Sequence, residues 1–194
     1  MNHQDEVRHI LTDFEQRIRA ILDRAWTEWL EMPKKGKLSA RSRASVVFDF
    51  IKDHALTEFD GDPDIHPVME GQTVKFLFRD QVLIRFKKAN SKGIGSNIET
   101  QAVLEFVDPQ LSIPQFLPDI FKVEVCYVLD KLATKMEMVA VTKRSRRRKI
   151  WSYPIFGGEA SNVIELPPRP SGPSDNALPQ VRPRKTADKP QTSE

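Results

Sequence analysis

Hydrophobic and polar positions alternate most cleanly over Val74–Lys88, VKFLFRDQVLIRFKK. Val74, Phe76 and Phe78 share one parity, and Val82, Ile84 and Phe86 continue it after a polar break. Successive side chains of a strand leave opposite faces, so this pattern predicts two half-buried strands. The shared parity leaves Arg79, Asp80 and Gln81 as a three-residue hairpin connection, with Asp80 best suited to the left-handed region. The reverse face carries Lys75, Arg79, Arg85 and Lys87, interrupted by Leu77 and Leu83. The expectation is one apolar face for a core and one basic face, with Arg85 and Lys87 accessible to water or an anionic partner.

Upstream the period changes. Val7, Ile10, Leu11, Phe14, Ile18, Ile21, Leu22, Ala25, Trp26 and Trp29 recur at intervals of three and four, a single helical stripe. Gln4 or Asp5 can open this helix, and Met32-Pro33 followed by Gly36 closes it. The stripe packs on the protein's own sheet, the usual fate of such a face, or docks a partner helix or a second copy. After the basic connector Lys34–Lys37, Ser39 offers an N-cap for a second helix from Ala40 to Glu58. The stretch Glu58–Asp64, EFDGDPD, places acids at alternate positions as a calcium loop does. It lacks that loop's glycine placement and terminal glutamate, so a turn is expected.

Downstream, Ala89–Ser96 is polar with Gly93 and Gly95, and lacks the lysine and hydroxyl of a phosphate loop. A short helix is expected around Ala102–Val107, then strands over Phe121–Asp130, Met136–Thr142 and Lys149–Ile155, with Lys143–Arg148 as a basic hairpin tip. Asn162–Leu166 could add an edge strand. From Gly157 the composition turns to Pro, Ser, Asp, Arg and Lys with little apolar periodicity, which predicts disorder. The fold expected is α+β: two N-terminal helices packed on a mainly antiparallel sheet of about five strands, with a disordered C-terminal tail. The chain divides into an amphipathic helix and linker (1–37), an α+β domain (38–156) and a Pro-rich tail (157–194).

Composition narrows the function classes. Charged residues make up 29% of the 194 and the net charge is only +3, too little to imply nucleic-acid binding from composition alone. No apolar run approaches the roughly 20 residues that span a bilayer. The start, MNHQDEVRHI, lacks the layout of a signal peptide, so a cytoplasmic protein away from membranes is expected. Cys126 is the lone cysteine, in the apolar stretch VEVCYVL, and His3, His9, His54 and His66 show no zinc-ligand spacing. No metal or cofactor site is expected, and no nucleophile motif identifies a catalytic residue. The strands IRFKK and FKVEV supply no acid-x-lysine triplet of a metal-dependent nuclease. A metal-independent ribonuclease could still use Arg85, Lys87, Lys88 and Arg144–Lys149 with Tyr127 or Tyr153 nearby. The strongest charge feature is Lys143–Lys149, KRSRRRK, basic everywhere but Ser145. Together with Arg85, Lys87 and Lys88, its residues Lys143, Arg144, Arg146, Arg147, Arg148 and Lys149 are the candidates for contact with phosphate or an acidic protein.

The stretches LSARSRASVVFDFI, VLIRFKKANSKGIGSNIETQAVLEF and VEVCYVLD…VAVTKRSRRRKIWSYPI together resemble a group of bacterial proteins encoded beside regulators that join a helix-turn-helix to a zinc-peptidase domain. The likeness covers about residues 38–155. Its distinctive parts are Arg85-Phe86-Lys87-Lys88, Asn97, Thr100-Gln101 and Trp151. The resemblance implies a toxin–antitoxin-like or mobile-element regulatory module and a cognate protein partner, and it carries no catalytic residues with it. Protein–protein contact is the leading expectation; a nucleic-acid-binding factor or ribonuclease toxin is the alternative.

Overall fold

A computed structural model describes residues 2–71, 73–95, 106, 120–145 and 148–156. The expected short helix, apart from Phe106, lies outside these residues, as do the expected edge strand and the tail. The amphipathic stripe forms α1 (His3–Leu11), a 3-10 turn (Thr12–Phe14) and α2 (Glu15–Glu31). The opening residue is Asn2, whose Oδ1 accepts the amides of Gln4 at 2.8 Å and Asp5 at 3.1 Å. Helix α3 (Ala40–Phe59) begins where expected, with the Ser39 hydroxyl accepting the Ser42 amide at 3.1 Å. Such caps satisfy amides that the first helical turn leaves without partners.

Six strands follow: β1 (Ile65–Glu70), β2 (Thr73–Phe78), β3 (Val82–Lys88), β4 (Phe121–Leu129), β5 (Met136–Ser145) and β6 (Arg148–Phe156). They form one sheet in sequence order, antiparallel throughout except for the parallel pair β3–β4. The sheet is therefore mixed and one strand larger than expected. Only Ile65 of β1 is buried, so this edge strand carries no alternation to read. A parallel pair needs a long crossover, which the chain between β3 and β4 provides. The β2–β3 hairpin has the predicted register, Phe78 opposite Val82. Asp80 adopts φ 55° as expected, and Arg79 joins it at φ 47°.

Every residue of the helical stripe is buried, from Val7 to Trp29, in one core with Phe76, Phe78, Ile84, Phe86, Val125, Val141 and Tyr153. The helices thus cover the even face of β2 and β3, and the stripe packs on the protein's own sheet. Edge-to-face aromatic contacts join the layers: Phe14–Phe78 at 5.0 Å, Phe59–Phe76 at 5.1 Å and Phe59–Phe78 at 5.5 Å. The Trp26 indole donates to the Thr134 carbonyl at 3.3 Å, tying α2 to the β4–β5 loop.

Candidate functional site

The opposite sheet face holds the charged chemistry. The parallel register sets Arg85 beside Glu124, and the antiparallel register sets Glu124 beside Thr142. Three neighbouring strands thereby converge on one carboxylate. Arg85 donates to Glu124 Oε1 from Nε at 3.0 Å and from Nη2 at 2.5 Å. Arg144 donates from Nε to Oε2 at 2.7 Å and from Nη2 to Oε1 at 3.1 Å. Glu124 is 1% exposed, and Arg85 and Arg144 are 7% exposed. Burial alone would raise the Glu124 carboxyl; the charge of Arg85 and the bonds and charge of Arg144 outweigh it and hold the group below its ordinary value. At Arg85 the balance between the causes is reversed: burial outweighs the carboxylate and lowers the guanidinium pKa.

Two further pieces close over this cluster. Phe106 stacks on Arg85, with the guanidinium carbon 4.2 Å from the ring centroid, and packs with Leu77 and Leu83. The loop after β3 folds back through an Ala89–Gly95 bridge, and its turn is organised by Asn90, whose Oδ1 accepts the amides of Lys92 and Ile94. A Cβ on Gly95 would stand 2.9 Å from Glu124 Oε2, so only glycine lets the loop lie this close to the carboxylate.

These contacts correct the accessible basic face. Arg85 is buried, and so is Lys75, which pairs with Glu70 and lies 5.3 Å from the Phe106 ring centroid. Lys87 is half-buried, its ammonium pKa lowered by burial and next by the charge of Arg85. Lys88 is exposed. The basic run is mostly strand: β5 extends through Lys143 and Arg144 to Ser145, and β6 starts at Arg148. Strand alternation therefore sends its cations to different places. Arg144 joins Glu124; Lys143 is half-buried, its Nζ 3.1 Å from the Lys122 carbonyl, with burial and then Lys122 lowering its pKa. Arg148 is exposed, Lys149 is half-buried with its Nζ 3.4 Å from the Lys92 carbonyl, and residues 146 and 147 (Arg146 and Arg147) lie outside the described residues.

Glu124 is the residue that sequence reasoning missed. Its signal was a single acid inside an apolar strand, on the parity opposite Val123 and Val125, with arginines available on neighbouring strands. The reactive candidates are withdrawn from solvent. The buried Cys126 thiol is pushed up to about 12, by burial first and by the Glu124 charge next. Burial also raises the phenols of Tyr127 and Tyr153. No cluster of metal-ligating side chains occurs among the described residues. The acidic turn is occupied by arginines: Asp62 by Arg17, Asp64 by Arg79 at 3.1 Å, and Glu58 by Arg17 at 3.2 Å and by Arg24. His54 lies 2.9 Å from Glu28, and His66 is exposed.

No family model, curated protein or solved structure matches this chain. Among the described residues, no helix is long and apolar enough to cross a membrane.

Proposed function

We propose that this chain acts by contact with an anionic partner protein, in the toxin–antitoxin-like or mobile-element regulatory setting that the resemblance implies. The observation that carries this reading is how the cations are distributed. Arg85 and Arg144 are committed to Glu124, and Lys75 to Glu70. Among the described candidates this leaves Lys88 and Arg148 exposed and Lys87, Lys143 and Lys149 half-buried. The ammonium groups of Lys143 and Lys149 lie against the Lys122 and Lys92 carbonyls, and burial lowers the pKa of Lys87 and Lys143. A nucleic-acid footprint consumes one cation for each phosphate it neutralises. Two fully exposed cations among the described candidates suit a few carboxylates of a protein better than a phosphate track.

The test is co-purification with the product of the neighbouring gene. A stable complex is expected by gel filtration, lost on combining Lys88→Ala, Arg148→Ala and Lys149→Ala while the melting temperature holds. The nucleic-acid alternative would instead show RNA or DNA binding that weakens with salt, at a log–log slope of about −0.7 to −0.9 per phosphate contacted. That result, without a protein complex, would overturn the reading.

A further inference from the structure

We propose that the cavity between the Ala89–Gly95 loop and the β5–β6 part of the sheet binds a small organic carboxylate, an anion bearing a short apolar body. The cavity measures about 330 Å³, near the small end of ligand sites. Its lining is partly polar and cationic, with Ser91 and Lys92 from the loop and Lys149 and Ser152 from β6, and partly apolar, with Met138, Ala140 and Pro154. No acid lines it among the described residues.

The donors available decide the class of anion. Three successive loop amides are already used: those of Lys92 and Ile94 donate to Asn90 Oδ1 at 3.0 and 3.1 Å, and that of Gly93 to the Asn90 carbonyl at 2.8 Å. Lys92, Gly93 and Ile94 therefore offer no run of free N–H groups for a phosphate cradle. The cationic donors are side chains. Lys149 Nζ makes one long bond, 3.4 Å to the Lys92 carbonyl, and an ammonium has three protons to donate. Ser152 is 9% exposed, and its hydroxyl lies 3.1 Å from that of Thr142. Two lysines and two hydroxyls match the two oxygens of a carboxylate, and the apolar lining residues match a hydrocarbon body.

The full-length protein should be titrated with hexanoate, 1-hexanol and inorganic phosphate, reading amide shifts of Lys92, Lys149 and Ser152 by NMR. Saturable shifts with hexanoate, and none with 1-hexanol at equal concentration, are expected. Lys149→Met should weaken hexanoate roughly tenfold or more, the scale of one charge-assisted hydrogen bond. Should that variant fold poorly, Lys92→Met on the exposed loop tests the same charge. A peptide with a free C-terminal leucine distinguishes the sources: shifts at the same amides assign the carboxylate to a protein terminus, and their absence beside hexanoate binding assigns it to a free small molecule. No saturation with hexanoate, tighter binding of phosphate, or unchanged affinity in both lysine variants would overturn the site. Complex formation is read separately, so failure here leaves the partner reading standing.

Discussion

Glu124 neutralises a guanidinium that has no other carboxylate among the described residues: Arg85 is buried, bonded to Glu124 and stacked on Phe106. Glu124→Gln should therefore cost about 3–5 kcal/mol in urea unfolding at pH 7, because it leaves a buried charge uncompensated. A loss under about 1 kcal/mol would mean that the arginines relax into water. The pH dependence has a definite sign. The folded carboxyl lies below its unfolded value of about 4.3, so its contribution is fully present above that value and lost as pH falls through the folded one. The stability gap between the parent and Glu124→Gln should narrow on acidification below about pH 4. Gly95 reports on the same cluster. Gly95→Ala should destabilise by about 1–3 kcal/mol as overpacking against a carboxylate held by two arginines. Gly36→Ala, where a Cβ meets nothing within 4 Å, should stay within about 0.5 kcal/mol.

At the level of elements, the two faces of the β2–β3 hairpin should respond differently. Phe76 is fully buried against Phe59 and Phe86, and Phe76→Ala should cost about 3–5 kcal/mol. Lys88→Ala, at the exposed end of β3, should stay within about 0.5 kcal/mol. Chemical denaturation of both variants checks the pair. The hairpin register was legible because a three-residue loop preserves parity across it. Strand β1 was not, since five of its six side chains are exposed or half-buried and Pro67 sits within it. Proline offers no N–H to an approaching chain, and Pro67 in β1 and Pro154 in β6 place one in each outermost strand of this sheet. The basic run was read as a loop because charge density resembles turn composition; pairing of Lys143 with Trp151 and Arg144 with Lys149 makes it strand instead.

On the scale of the whole molecule, the helices belong to the core they cover. The ten residues of the stripe, from Val7 to Trp29, are buried in the same cluster as β2 to β6. Deleting residues 1–37 should abolish cooperative thermal unfolding, exposing the helix-facing side of the sheet. The opposite truncation should be mild. A chain ending at Glu159 should keep its stability within about 1 kcal/mol of full length, since the removed segment is Pro-rich and poor in apolar residues. A loss of several kcal/mol would show that the tail packs.

Periodicity alone determined which residues face the helices, because hydrophobic burial acts locally through the 3.6- and 2-residue repeats. Val7 to Trp29, Phe76, Phe78, Ile84 and Phe86 all lie where those repeats place them. The fate of the charges was a tertiary decision. Arg85 and Arg144 are 59 positions apart, with Glu124 between them, and the parallel β3–β4 and antiparallel β4–β5 pairings together bring all three into contact. A charge is favourable at a site only through its neighbours and its access to water, and neither is a property of the strand that carries it. The same basic pattern could have faced solvent; the crossover carrying Phe106 and the loop ending at Gly95 buried it.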